Sequence, residues 1–230
     1  MQLSTEVRWF FQGVQDVAPI AHWFEGLGQR LSPGQFERTD YYLQLPGVTT
    51  LGLKIREAKK DDGVNWTGKL EVKILTRDLG MLKMENGSTG LANQWTKFSF
   101  KLSDGEPNLA AILDSFLPGN SNPEEKKHWI KMEKNRLLVM YDQQQKMFLA
   151  DDARLMEGCG IELTALRIND KTDYSFAFEG FSATGKHEEN FFEAVNLFFS
   201  EVKLPALPGS RSFGYPSFLL EKISLPSVND

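Results

Sequence analysis

An α+β fold built around an antiparallel sheet is predicted by three features of this chain. Apolar and charged residues alternate over many short segments, turn-forming residues join those segments at close intervals, and only a few stretches carry helical spacing. Period-two alternation puts successive side chains on opposite faces of a strand, and short connections favour antiparallel pairing. With 230 residues, 17 Phe and 5 Trp, one domain can bury a sizeable core without staples.

The elements follow in order. Residues 4–11 open as a strand. Residues 14–25 place Val14, Val17, Ile20 and Phe24 at helical spacing, although Pro19 disturbs the first turn or marks the true start. A strand is expected over 38–45. Leu51, Leu53 and Ile55 then interleave with Lys54 and Arg56, and Leu70, Val72 and Ile74 with Lys69, Glu71 and Lys73; Asp61-Asp62-Gly63 turns between them. Glu85-Asn86-Gly87 marks the next turn, before a strand over 94–102. Residues 106–116 read as a helix with Pro107 near its first position and Leu109, Ile112, Leu113 and Phe116 on one face, and 118–127 as a surface loop.

Strands are expected again over 128–133, 136–142 and 159–168. Tyr174, Phe176 and Phe178 then interleave with Ser175, Ala177 and Glu179. The clearest helix is 187–202, where Phe191, Val195, Phe198 and Val202 form a stripe that Phe192 and Phe199 widen; core packing against the sheet is its ordinary use. Residues 205–217 read as a surface loop. About nine strands result. No repeat or domain boundary is visible, so the expected organisation is one domain over 1–230, with 203–230 a C-terminal extension packed on it.

Charge narrows the function classes. A net charge of −5 and a pI near 5.4 argue against broad binding to nucleic acid or an anionic membrane, yet leave room for a small basic pocket. Cys159 is the sole cysteine, so an internal disulfide is ruled out, and a small buried hydrophobe is its ordinary reading. Charged residues come too early for a secretory leader, and apolar runs fall short of the ~20 residues a membrane span needs. The expected location is cytoplasmic. The phosphate-binding glycine loop, the dinucleotide fingerprint, His-Glu-x-x-His and the Gly-x-Ser-x-Gly elbow are all missing, and His22, His128 and His187 lie far apart.

What remains is the charged face of the strands. Lys54 and Arg56 point the same way, about 7 Å apart by strand geometry. Lys73 sits on a second strand of the same character, and Lys131, Lys134 and Arg136 supply a third group. On alternation alone, a solvated sheet face is the simpler reading. Cations converging from several strands would instead make a pocket for a polyanion, since Arg offers a fixed fork to phosphate oxygens and Lys a point charge.

The order of motifs shifts that balance. Thr39-Asp40-Tyr41-Tyr42-Leu43, Leu53-Lys54-Ile55-Arg56 and Leu70-Glu71-Val72-Lys73 follow one another. Glu133-Lys134-Asn135-Arg136, Gly160-Ile161-Glu162-Leu163-Thr164 and Phe176-Ala177-Phe178-Glu179 come later, the last followed by the 187–202 helix. This series resembles the CYTH family, also called triphosphate tunnel proteins, over most of residues 4–202. The resemblance implies a closed antiparallel β-barrel of about eight strands with a few packed helices, and a tunnel lined by basic and acidic side chains. It implies binding of a triphosphate- or polyphosphate-type anion, and hydrolysis that uses Mg²⁺ or Mn²⁺ as an activity of many members. Carried onto this chain, Arg8, Lys54, Arg56, Lys73, Lys131, Lys134 and Arg136 would hold phosphates, and Glu6, Glu162 and Glu179 a metal. Lys131 and Lys134 remain alternatives for one lysine.

This chain also departs from the family pattern. The opening Glu-x-Glu-x-Lys signature reads Glu6-Val7-Arg8-Trp9-Phe10, and the first Glu of the late pair is Ala177. Lost carboxylates are lost hard ligands for a divalent ion. Arg8 and Lys97 would make the lumen more basic if they point inward. The expected partner is therefore a small phosphorylated anion, with neither nucleic acid nor membrane. The alternative is a CYTH-like scaffold or protein-interaction domain without catalysis, for which the aromatic Phe213-Gly214-Tyr215-Pro216-Ser217-Phe218 segment would dock a partner or cover the barrel's own surface.

Overall fold

A computed structural model describes residues 1–28, 34–61, 65–102, 129–150 and 155–224. Its strands are β1 (Gln2–Phe11), β2 (Gly34–Leu43), β3 (Leu51–Asp61), β4 (Asn65–Lys83), β5 (Thr89–Leu102), β6 (Trp129–Asp142), β7 (Met147–Ala150), β8 (Glu157–Ile168) and β9 (Lys171–Ser182). Three helices are described: α1 (Val14–Gly28), α2 (His187–Glu201) and α3 (Tyr215–Ser224). The strands run in the order β2-β3-β4-β5-β1-β9-β8-β6, and β2 pairs β6 to close the ring. Pairing among the described strands is antiparallel throughout. This closed eight-stranded barrel is the architecture that the resemblance implies. Closure removes the sheet edges that would otherwise invite aggregation. The ninth strand, β7, pairs only the last four residues of β6, beyond the point where β2 ends.

Two expected strands are one. Of the expected 128–133 and 136–142, the described residues 129–133 and 136–142 belong to the continuous β6; Glu133-Lys134-Asn135-Arg136 is polar on both faces and mimics a turn in the sequence. In the barrel Lys134 and Arg136 face the lumen while Glu133 lies outside. Strands β4 and β5 run longer than the expected 69–74 and 94–102, bulging between Leu75 and Arg77 and between Asp78 and Gly80. The Glu85-Asn86-Gly87 turn forms as expected, with Gly87 at φ 84° and the Met84 carbonyl accepting from its N–H. The helix expected over 106–116 and the loop over 118–127 lie outside the described residues.

The main core is on the outside of the barrel. Val7 and Trp9 of β1, Ile161 of β8 and Phe176 and Phe178 of β9 are fully buried beneath Phe191, Phe198 and Phe199 of α2. Val17, Ile20 and Phe24 of α1 join them, while Val14, expected in the same stripe, is exposed. A close approach makes this docking possible: a Cβ on Gly180 would lie 2.4 Å from the His187 carbonyl and 2.5 Å from Phe191 Cβ.

A second core fills one end of the barrel. Phe10, Tyr42, Ile130, Met132 and Leu166 point inward there, and Phe218 and Leu219 of α3 pack against them. Phe218 stacks on Phe10 with ring centres 4.3 Å apart, Phe213 stacks at 5.1 Å, and Lys222 ties α3 to Asp173 at 2.7 Å. Residues 205–217, expected as a surface loop, thus lead into a plug. Ser212 is buried, and the Arg8 carbonyl accepts from its hydroxyl. At ten residues, α3 is too short for periodicity to announce it.

Candidate functional site

Strand alternation, not loop chemistry, builds the site. With Val7 and Trp9 turned to the outer core, Glu6 and Arg8 must turn inward. The same parity brings in Arg38 and Asp40 of β2, Lys54 and Arg56 of β3, and Glu71 and Lys73 of β4. Lys97, Lys134, Arg136, Glu162 and Glu179 arrive likewise from β5, β6, β8 and β9. All but the fully buried Asp40 line a cavity of ≈ 190 Å³ with eight Lys or Arg side chains against four glutamates, closed on the plug side by Tyr215 and Pro216.

Six of the seven expected phosphate ligands meet here: Arg8, Lys54, Arg56, Lys73, Lys134 and Arg136. Lys131 does not. It sits one residue out of phase, half exposed on the outer wall and paired with Glu133 at 2.7 Å. The three expected metal ligands, Glu6, Glu162 and Glu179, also face the cavity. Arg38, Asp40, Glu71, Lys97, Tyr42 and Tyr215 complete the arrangement. Lys97 was expected to make the lumen more basic if it pointed inward, as it does; Arg38, Asp40, Tyr42 and Glu71 share the inward parity of one another or of Lys73, which was the available signal, whereas Tyr215 arrives from outside the barrel and had none.

The ions are interlocked. Arg8 donates to Glu6 at 3.1 Å, to Glu162 at 3.0 Å and to Ser175 Oγ at 3.1 Å, and Arg136 donates to the other oxygen of Glu162 at 3.2 Å. Lys54 lies 3.0 Å from Glu71 and 3.3 Å from Asp40. Lys134 donates to Tyr42 Oη at 2.7 Å, lies 3.4 Å from Asp40, and sits 4.1 Å from the centre of the Tyr215 ring. Glu6 and Glu179 are direct cross-strand partners, and the Lys73 ammonium stands between them, bonded to Glu6 and 3.3 Å from Glu179.

Two features leave the network open to a ligand. Lys97, directly opposite Lys73 on β5, has no ion-pair partner within 4 Å among the described residues; its field reaches Glu71 and Glu179 only at longer range. The Nε groups of Arg38 and Arg136 are buried without a hydrogen bond.

Proton affinities follow the charge excess. Burial alone would raise the Asp40 carboxyl, but Lys54, Lys134 and Arg38 outweigh it and hold the group down to about 2. Lys73 chiefly, against burial, holds Glu179 below the usual carboxylate range. Burial would also raise Glu162, but Arg8 and Arg136 keep it below the usual carboxylate range. Burial pulls the Lys134 ammonium below its ordinary value, against the raising fields of Tyr42 and Asp40. Asp40, Glu71, Glu162 and Glu179 are therefore ionised and committed to cations.

That commitment bears on a metal. Among the described residues there is no group of three or more His, Cys, Asp or Glu side chains placed to hold an ion. The Glu6–Glu179 pair already encloses an ammonium, and Glu162 is shared by two guanidiniums. As arranged, these donors do not fit a resident divalent ion. Cys159 is fully buried and its thiol is pushed up by that burial, which leaves it chemically quiet. No described helix is long and apolar enough to cross a membrane.

No family model matches the chain, and no curated protein matches it either. Solved structures do. One is a putative adenylate cyclase from Bacillus halodurans, 16% identical, with 90% of this chain and 95% of that one covered and a TM-score of 0.43. Another is a protein from Pyrococcus horikoshii, 16% identical, covering 94% and 99%, at 0.47. A third is an RNA triphosphatase from S. pombe in complex with the Spt5 CTD, 10% identical, covering 87% and 82%, at 0.45.

Proposed function

We propose that the barrel chamber binds a compact, multiply charged phosphoanhydride anion of the triphosphate type. The observation that carries this reading is the convergence of eight cations on one cavity against five inward carboxylates, Glu6, Asp40, Glu71, Glu162 and Glu179, with Lys97 unpaired among the described residues. An excess of buried like charge is destabilising unless something offsets it. A phosphate chain does so, because its oxygens accept several charge-assisted hydrogen bonds at once. Arg8, Lys54, Arg56, Lys73, Lys97, Lys134 and Arg136 would share that chain, with Arg38 held beside them by its ion pair with Asp40, 3.4 Å from Nε. Their partners among the carboxylates would loosen as phosphate oxygens arrive.

Mg²⁺ or Mn²⁺ suits this chamber as a companion of the anion, held mainly by phosphate oxygens, rather than as the occupant of a protein cage. Such an ion would neutralise phosphate charge. The second reading, a barrel that retains an anion without turning it over, is favoured by the Lys73 ammonium lodged between Glu6 and Glu179.

The test is calorimetric titration of tripolyphosphate with Mg²⁺, with Mn²⁺ and with chelator, with phosphate release followed on the same samples. Wild type should bind. The Lys97→Ala variant, which orphans no ion-paired carboxylate, should bind about tenfold more weakly, the loss of one charge-assisted contact. The Lys54→Ala/Arg56→Ala variant should lose more, with folding checked by circular dichroism. Release of phosphate distinguishes hydrolysis from retention. Absence of binding in wild type under all three conditions overturns the reading.

A further inference from the structure

Side-chain cations hold the glutamates that could serve a divalent ion. Arg8 and Lys73 lie on Glu6, Arg8 and Arg136 on Glu162, and Lys73 on Glu179. Asp40 and Glu71 are paired as well. Between Glu162 and Glu179 the inward positions are Ala177, cross-strand partner of Glu162, and Gly160, cross-strand partner of Glu179. Neither brings a side-chain oxygen.

Mg²⁺ commonly takes one or two protein carboxylates besides phosphate oxygens. Glu6 and Glu179, directly opposed on β1 and β9, are the pair such an ion would bridge, and the Lys73 ammonium lies between them instead. Against the pull of burial, Glu179 and Glu6 raise the affinity of Lys73 for its proton, so it stays charged. Its side chain is anchored on β4, so the ammonium can swing but not leave. A divalent ion entering there would meet it, and the Arg8 guanidinium, at close range in a cavity of ≈ 190 Å³. The charge count points the same way. Eight cations face five carboxylates, a formal surplus of three positive charges. The terminal phosphate of a chain alone carries about −1.5 to −2 near pH 7, and a divalent ion cancels two of the chain's charges. The bare chain therefore matches the surplus better than its metal complex does.

We propose that Lys73 and Arg8 serve as built-in counter-cations, and that the chamber accordingly selects the metal-free phosphate chain over its Mg²⁺ or Mn²⁺ complex. This inference rests on the chamber reading above. As the chain arrives, Lys73 turns from Glu179 towards phosphate. Lys97, its direct partner on β5 and unpaired among the described residues, adds a second ammonium beside it. A companion ion can enter on the phosphate oxygens, at the cost of part of the attraction that draws the chain in.

The experiment titrates tripolyphosphate into wild type by calorimetry, with chelator and then with enough Mg²⁺ or Mn²⁺ to complex the ligand. Binding should be about tenfold tighter in chelator, since complexation removes the equivalent of one charge-assisted contact. One equivalent of Mn²⁺ added to wild type without phosphate should leave the electron paramagnetic resonance signal of the aqua ion undiminished. The Lys73→Gln variant, with folding checked by circular dichroism, should bind more weakly than wild type in chelator and should reverse the order, binding tighter with Mg²⁺ than without, because Glu6 and Glu179 are then open to the ion. An unreversed order in the folded variant overturns the role of Lys73. In wild type, which needs no substitution, equal or tighter binding with Mg²⁺, or loss of the Mn²⁺ signal, overturns the selection while leaving the chamber standing. Absence of binding under every condition overturns the chamber, and the selection with it.

Discussion

The two faces of β1 are buried to the same degree by opposite chemistry. On the outer face Val7, Trp9 and Phe11 are at most 4% exposed, under the aromatic side chains of α1 and α2. On the inner face Glu6 and Arg8 are 5% and 6% exposed, among ions of both signs. In an ordinary domain the interior holds the structure together. Here the outside of the barrel does so, and the middle is free to hold charge. Burial of apolar area stabilises by about 25 cal/mol per Å², whereas an interior salt bridge roughly breaks even against its own desolvation. The difference teaches where stability and function each reside, and it can be broken by perturbing one face at a time.

The largest effect is expected outside. Phe198 is fully buried and meets Trp23, Phe176, Phe178 and Phe199 at ring-centre distances of 4.8 to 5.5 Å. The Phe198→Ala variant should lose about 3–5 kcal/mol of stability, read as a lowered urea midpoint with an unchanged slope. Its tripolyphosphate affinity, measured where the variant is still folded, should match wild type. A parallel loss of affinity would mean that the two faces are not separable.

An intermediate effect is expected inside, and it depends on pH. Folding lowers the Asp40 carboxyl from its ordinary value of 3.8 to about 2, so the folded state takes up a proton less readily than the unfolded chain. Its contribution, about 2 kcal/mol for a shift of this size, is fully present above pH 4 and is lost as pH falls through about 2. Glu179, held below its ordinary value chiefly by Lys73, adds in the same direction. Urea midpoints should therefore stay level from pH 7 to 5 on this account and fall between about 4 and 2. The Phe198→Ala variant should follow the same curve, displaced by a constant amount. A curve of different shape would couple the outer core to the inner ions.

Sequence alternation carried much of this architecture. Lys54, Lys73 and Glu162 were legible because each sits between apolar neighbours that must face the other way, and Arg56 because it shares the parity of Lys54. The continuity of β6 was not, because Glu133-Lys134-Asn135-Arg136 is polar on both faces and periodicity needs contrast. The plug was not legible either. Phe213, Tyr215 and Phe218 read as aromatics that dock a partner or cover the barrel's surface, and only Phe10 and Tyr42 show that they stack on its end, a contact between residues about 200 positions apart in the case of Phe10. Alternation fixes which residues share a face but says nothing of what closes the end of a barrel.

The smallest effect is expected at Lys131, and it is the most discriminating. Lys131 and Lys134 are equivalent candidates in the sequence, three residues apart and therefore on opposite faces of one strand. The register settles which is inside. Lys134 is the cross-strand partner of Arg38 and is buried against Asp40 and Tyr42, while Lys131 opposes Tyr41 on the outer wall and bonds Glu133 two residues along its own strand. An exposed pair of that kind contributes within about 0.5 kcal/mol. The Lys131→Ala variant should therefore keep wild-type stability and wild-type tripolyphosphate affinity, measured by urea unfolding and calorimetry on one preparation. Lys134→Met, which leaves Asp40 with one buried cation fewer, should change both. If Lys131→Ala weakened the anion instead, β6 would have to be shifted by one residue, and that slip would turn Lys134 and Arg136 out of the chamber together.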